Sequence, residues 1–274
     1  MAPYAPSELV MFWFGLIAYA TAGAAALGAL LARRDTLPHF LRIFTAIGVL
    51  AHGAFLVHAA ARTHACPMFH LFEACIFAAA LAAIAALLVD VRYEMPAVTA
   101  AVSPLAVVVS GTPYLRMFQT APAAIPESAI TPFHLALIAL AYAAFLLAFA
   151  TGALYLLQER QLKRHSAGPL VSALPSLEAA NAVNTTSVMT GFVLLTIGIA
   201  FGITSAALLD KPILSDGRSI SGIVTWVFYG GLVAMRFTRG YHGRSAARMS
   251  IWSFAIAAFT LFGATLLGTG VHHS

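Results

Sequence analysis

The stretch THACPMFHLFEACIF, residues 63–77, gathers two histidines, both cysteines of the chain and a glutamate into fifteen positions. These side chains bind metals, carry thiol redox chemistry or hold protons. His64, Cys66 and His70 offer nitrogen and sulfur donors for zinc or copper, but their spacing matches no common site and a fourth ligand is not evident. A Cys66 thiolate is also a type of haem-iron ligand. Pro67 suits a helix start, and His70 and Glu73, three positions apart, share one helical face. Glu73 then lies one turn into an apolar segment, where a carboxylate needs a partner. His70, His58 or a passing substrate would provide it. Cys75 falls about two helical turns below Cys66, beyond the reach of a disulfide, so no bridge between them is expected.

What surrounds this stretch is hydrocarbon. The chain has 274 residues, 61% hydrophobic and only 9% charged, with a mean hydropathy of +0.88. A soluble domain carries about 25% charged residues, so ionic groups cannot cover a water-facing surface here. The solvent is lipid. A helix needs roughly 20 apolar residues to cross a bilayer with its backbone groups bonded internally. Eight runs meet that need, at about 9–32, 38–60, 70–90, 94–111, 132–157, 187–209, 220–236 and 247–270. They make an all-α polytopic membrane protein, one transmembrane domain over residues 1–274 built as a bundle of about eight helices.

Lys and Arg stay on the cytoplasmic side of a membrane. Eleven of the fifteen fall on one side: Arg33, Arg34, Arg42, Arg92, Arg160, Lys163, Arg164, Arg236, Arg239, Arg244 and Arg248. Arg62, Arg116, Lys211 and Arg218 fall on the other, which puts both termini outside. The first span has no Lys or Arg before Arg33, so it lacks the charged start of a signal peptide and is expected to remain. The net charge of +5 fits cytoplasmic loops meeting anionic lipid, with no basic stripe for nucleic acid. In the loop 158–186, PSLEAANAVN (175–184) has helical spacing and is expected to lie along the cytoplasmic interface.

This topology sorts the ten histidines. His39, His165 and His242 fall on the cytoplasmic side and read as solvated. His58, His64, His70, His134, His272 and His273 lean outward, with His52 six residues, about 9 Å, below His58. Imidazoles from several helices at one membrane face are what a metal or haem pocket there requires, and two from separate helices can hold haem iron from both sides. The alternative is that each only hydrogen-bonds at the headgroups. Trp226 reads as packing. No Walker loop, G-x-S-x-G elbow or H-E-x-x-H is present, so the common nucleotide and hydrolase chemistries have no support.

Four segments, in order, resemble the cytochrome c assembly membrane-protein family, which includes CcsA, CcmC, HemX and YpjD-type proteins. CPMFHLFEACIF (66–77) is similar to the family's short proline loop and N-L-Y-E helix start, with Glu73 at the glutamate. TPFHLALIALAYAAFLLAFATGALYLLQERQLK (131–163) is similar to the segment in which an external histidine opens a span. LPSLEAANAVNTTSVMTGFVLLTIGIAFG (174–202) follows the pattern L-P-x-L-(D/E)…N…G-F-x-L-L-T-x-G. GYHGRSAARMSIWSFAIAAFTLFGATLLGTGVHHS is similar to the G-W-x-G-R-x-A…G-x-H ending. The resemblance runs from about residue 40 to the end. It implies haem handled at the outer face of the bacterial inner (cytoplasmic) membrane, with His134 and His272 as axial ligands and His273 as an alternative to His272. Glu73 and His58 would line the pocket. The chain departs from haem-delivering members in the loop LDKPILSDGRSISG (209–222), which has no tryptophan where they are tryptophan-rich. It also lacks the histidine some carry at the end of span seven. It therefore resembles the HemX and YpjD branch most.

The resulting expectation is a haem-handling, non-enzymatic membrane protein of a cytochrome c biogenesis-like system. Its partners would be the lipid bilayer and other cytochrome c biogenesis or haem-pathway membrane proteins. A second reading is a HemX-like regulatory or interaction subunit without haem delivery, using the 158–186 loop as its contact surface. A third is a small transporter with Glu73 and His52 along a polar path.

Overall fold

The architecture is that of a computed structural model, which describes residues 4–31, 38–64, 66, 68, 70–116, 129–164, 174–210, 217–240 and 243–267. Among them are eight α-helices and no strand: α1 Pro6–Leu31, α2 Pro38–Thr63, α3 Leu71–Tyr93, α4 Pro96–Gly111, α5 Thr131–Lys163, α6 Leu177–Leu208, α7 Gly217–Arg239 and α8 Arg244–Leu267. A 3-10 turn, Thr112–Arg116, follows α4. All eight helices are long and apolar enough to cross a membrane, as the hydrophobic runs require.

Two of the helix starts that differ from the sequence expectation are set by polar side chains. The first span begins at Pro6 rather than 9, because Glu8 belongs to the helix: its carboxylate Oε2 accepts the Ala5 backbone N–H at 2.7 Å, closing half of a capping box. The sixth begins at Leu177 rather than 187, so most of PSLEAANAVN opens a membrane-crossing helix instead of forming a separate interfacial piece. The Ser176 hydroxyl caps it by accepting the Ala179 N–H at 3.2 Å. The side chains of Asn181 and Asn184 are hydrogen-bonded to other segments, so these polar residues join the bundle rather than end it. α5 runs on to Lys163, which pairs with Glu159 at 2.7 Å, so the expected loop 158–186 is helical at both its ends.

The chain divides into two compact units. One is Met1–Ile125 with Leu154–Ala180, the other Pro126–Ala153 with Asn181–Ser274. In the first, α1 packs on α2 and α4, α2 on α3 and α4, and α3 on α4. The buried stripe of α2 is Leu41, Thr45, Gly48, His52, Phe55, Leu56 and Ala59, spaced three and four apart. The outward face of α2 carries Ile43, Leu50 and Val57, 57–72% exposed. Polar residues inside and aliphatic ones outside are the arrangement that lipid demands. Bare glycine backbone allows the α1–α2 approach: a Cβ at Gly15 would lie 2.3 Å from the His52 ring, and one at Gly48 2.5 Å from Tyr19. Small residues of α3 and α4 (Ala79, Ala83, Ala106) complete the seat of Tyr19.

Each unit is fastened by buried polar groups at both ends. In the first unit Asp90 is fully buried; Arg42 donates to its Oδ1 at 2.8 Å and Thr99 to its Oδ2 at 2.9 Å. The hydroxyls of Thr45 and Ser103 meet at 2.9 Å one turn further in. In the second unit Ser221 (α7) bonds Thr260 (α8) at 3.0 Å, and Tyr142 (α5) bonds Thr225 (α7) at 3.1 Å. Trp226 stacks on Phe192 and donates to Thr196 at 2.9 Å, a packing role.

Candidate functional site

Two glutamates of the first unit, Glu8 and Glu73, sit at the N-terminal ends of α1 and α3. Glu8 is fully buried and gathers three donors besides Ala5 into one carboxylate. Arg62 Nε donates to Oε1 at 2.7 Å, its Nη2 donates to Oε2 at 3.1 Å, and His58 Nδ1 lies 3.2 Å from Oε1. That fork of two parallel N–H bonds is the strong form of an arginine–carboxylate pair. Glu73 likewise sits three residues after its helix cap, His70, and accepts that residue's backbone N–H. Its side-chain partner is Tyr4, whose hydroxyl lies 3.2 Å from Oε1. The partner of Glu73 is therefore a tyrosine and not His58, which belongs to Glu8. Burial, followed by the Glu73 carboxylate, pushes the Tyr4 phenol well above its ordinary range, so Tyr4 stays protonated and keeps donating. Beneath lies an aromatic plug of Phe12, Phe55, Phe72 and Tyr114, with Phe12 and Phe72 at 4.9 Å edge to face.

A prediction arises here. Tyr4→Phe removes the donor and leaves the buried Glu73 carboxylate short of one bond. The expected cost is about 1–3 kcal/mol, read as a lower midpoint in thermal unfolding of the detergent-solubilised chain. An unchanged midpoint would mean that water replaces the phenol.

His52 lies deeper on α2, fully buried, stacked on Phe12 at 5.8 Å and edge-on to Tyr19 at 5.2 Å. It is sealed in the α1–α2 contact. Cys66 and Cys75 are not bridged, and among the described residues no three His, Cys, Asp or Glu side chains converge on one point as a metal ion requires.

The second unit places His134 in the first turn of α5. Its Nδ1 lies 2.7 Å from the backbone carbonyl oxygen of Gly198 on α6. A carbonyl only accepts, so Nδ1 carries the proton, and the lone pair of the neutral ring resides on Nε2. An imidazole ligating iron is ordinarily held in this way, with one nitrogen donating to a carbonyl and the other turned to the metal. Glycines make the approach possible: a Cβ at Gly202 would fall 2.6 Å from His134 Cε1 and 2.8 Å from its Nδ1. The same helix pair is in register elsewhere. The hydroxyls of Thr131 and Ser205 meet at 2.7 Å, Ile138 lies against Gly198, and Phe145 against Gly191. G-F-V-L-L-T-I-G (191–198) is thus the notch that seats α5 and fixes the imidazole. His272 and His273 lie outside the described residues, as do His165, His242 and residues 211–216 of the loop 209–222. The last described turn of α8, ending at Leu267, heads to the end of the unit that carries His134.

A node at the opposite end of the second unit was missed from sequence. Asn184 on α6 touches α5, α7 and α8. Its Nδ2 donates to the Ala148 carbonyl at 2.6 Å, and its Oδ1 accepts from Arg236 Nη2 at 2.6 Å and Ser250 Oγ at 3.1 Å. Arg236 Nη1 also donates to Thr185. Gly152 admits the amide, since a Cβ there would lie 3.3 Å from Asn184 Nδ2 and 3.1 Å from the Ala247 carbonyl. One turn away Asn181 Oδ1 accepts the Gly243 N–H at 3.2 Å, between glycines 240 and 243 whose φ of +60° and +62° turn the chain from α7 into α8. The spaced N, N and G-Y-H-G were the legible signal; that they meet was not.

Residues 40–272 match the model of the family described as "Cytochrome C assembly protein". The chain is similar to the cytochrome c biogenesis protein CcsA of Synechococcus sp. (strain CC9902), at 25% identity over 265 residues, 87% of each chain. It is 25% identical over 237 residues to CcsA of Prochlorococcus marinus (strain MIT 9303), covering 75% of this chain and 74% of that one. A shorter match to CcsA of Prochlorococcus marinus (strain MIT 9312) reaches 32% identity over 87 residues, 31% of this chain and 28% of that one.

Proposed function

The chain belongs to the cytochrome c assembly protein family, and from that premise we propose that it is a haem-handling integral membrane protein of cytochrome c biogenesis. It would work in the bacterial inner membrane with the His134 end of the second unit facing outward, a placement that the distribution of Lys and Arg supports. It carries haem rather than transforming it.

The observation that supports this reading is the His134 geometry. An imidazole donating Nδ1–H to the Gly198 carbonyl presents Nε2 as a neutral donor, the form that haem iron takes as an axial ligand. His134 would hold the iron on one side and His272 on the other, and the bound haem would supply the group destined for an apocytochrome. Glu73 and His58, which the family resemblance places at the pocket, have hydrogen-bond partners of their own. Each is satisfied within the first unit, by Tyr4 and by Glu8, and they hold the α1, α2 and α3 ends together. Partner proteins of the same assembly route would dock on the outer end.

Titration of haem into the detergent-purified chain tests the proposal. A saturable Soret shift at one equivalent is expected. Haem that only partitions into the micelle, with no saturation, would overturn it and favour a regulatory subunit. Gly202→Val adds atoms where the imidazole stands and so separates it from the Gly198 carbonyl. Loss of such a supporting bond typically costs 10–100-fold in metal affinity, and a fall of about tenfold or more is expected in the same titration.

A further inference from the structure

Among the described residues the guanidinium of Arg236 has no carboxylate partner. It is buried, 4% exposed, and its hydrogen-bond acceptors are the neutral Asn184 Oδ1 and Thr185 Oγ1; Nε has no partner among the described residues. The second unit contains three acidic residues in sequence, Glu127, Asp210 and Asp216. Of these, Asp210 is among the described residues, and it lies two residues beyond the end of α6, whose course from Asn184 to Leu208 spans about 36 Å. Near Arg236 the chain carries Arg239, Arg244 and Arg248 instead. Glu178 is exposed and seven residues, about 10 Å, back along α6 from Thr185, out of hydrogen-bond range, and Glu159 is taken by Lys163.

A buried cation without an opposite charge costs several kcal/mol. Arg236 stands three residues before the end of α7, about 4.5 Å from the helix terminus and so at headgroup depth. Basic pockets between helices at this level are where phospholipid headgroups bind. We propose that the α6–α7–α8 corner around Arg236 is a binding site for the phosphate of an anionic phospholipid, with Arg244 and Arg248 on its exposed rim. A zwitterionic lipid brings its own ammonium toward Arg236, Arg244 and Arg248 and is disfavoured. The lipid completes the charge of the Asn184 node, so the four helices of the unit close fully only around it. This site is independent of haem binding.

The test is native mass spectrometry of the full chain in detergent, titrated separately with phosphatidylglycerol and phosphatidylcholine. Phosphatidylglycerol should bind the wild type at one tight site and phosphatidylcholine should not. Arg236→Gln should weaken that site about tenfold or more, the scale of a lost charge-assisted hydrogen bond, while Arg160→Gln leaves it unchanged. Equal affinity for the two lipids, or an unaltered site in Arg236→Gln, would overturn the proposal. Displacement of the lipid by excess inorganic phosphate would also overturn it, assigning the site to a soluble anion. Should Arg236→Gln fail to fold, Arg236→Lys retains the charge but not the fork. It is expected to bind more weakly than wild type while still preferring phosphatidylglycerol.

Discussion

Asn184→Leu is expected to be the most destabilising single substitution in the second unit, at about 3–5 kcal/mol. The amide is an acceptor for Arg236 and Ser250 and a donor to the Ala148 carbonyl. Leucine has similar volume, so the loss is not one of packing. It strands a buried guanidinium, and breaking a buried charged interaction from one side costs about this much. Replacing both partners, Asn184→Leu with Arg236→Met, should recover most of the loss, since an apolar pair leaves nothing unsatisfied. Thermal unfolding of the four variants forms a double-mutant cycle that checks this. Equal additive losses from both changes would show that the two side chains do not depend on each other.

The second large effect is on the cofactor. His134→Ala removes the imidazole whose Nδ1 meets the Gly198 carbonyl at 2.7 Å, and bound haem should then fall to a small fraction of the wild-type amount. Haem held between two histidines has a sharp reduced spectrum; with one ligand gone the iron becomes five-coordinate or is lost. His165→Ala should change nothing, because that residue falls on the opposite side of the membrane by the distribution of charge.

The eight helices were legible because hydrocarbon leaves a helix few choices: twenty apolar residues in a row have one way to satisfy their backbone in lipid. The errors fall where polar residues belong inside. Glu8 fell just outside the first expected span, yet it is the N3 residue that caps α1 and holds Arg62, 54 residues away. PSLEAANAVN read as an interfacial piece from its helical spacing within a cytoplasmic loop, whereas Asn184 is satisfied from three other helices. Partners so distant in sequence cannot be deduced from spacing. The pairing of Glu73 failed likewise: His58 and His70 were the obvious candidates nearby, and the donor is Tyr4, 69 residues earlier. His134 was singled out only by family resemblance, but the physical signal lay in the glycines of GFVLLTIGIAFG, which open α6 to a ring.

One measurement bears most directly on the central claim. It is the visible spectrum of the detergent-purified chain, oxidised and then dithionite-reduced, for wild type, His134→Ala, the His134→Ala/His272→Ala pair and His165→Ala. A Soret and α band in wild type and His165→Ala, diminished in His134→Ala and absent from the pair, is the predicted result. Equal haem in all four would contradict ligation at His134. A wild type that stays colourless after haem is added would contradict haem handling by this chain altogether.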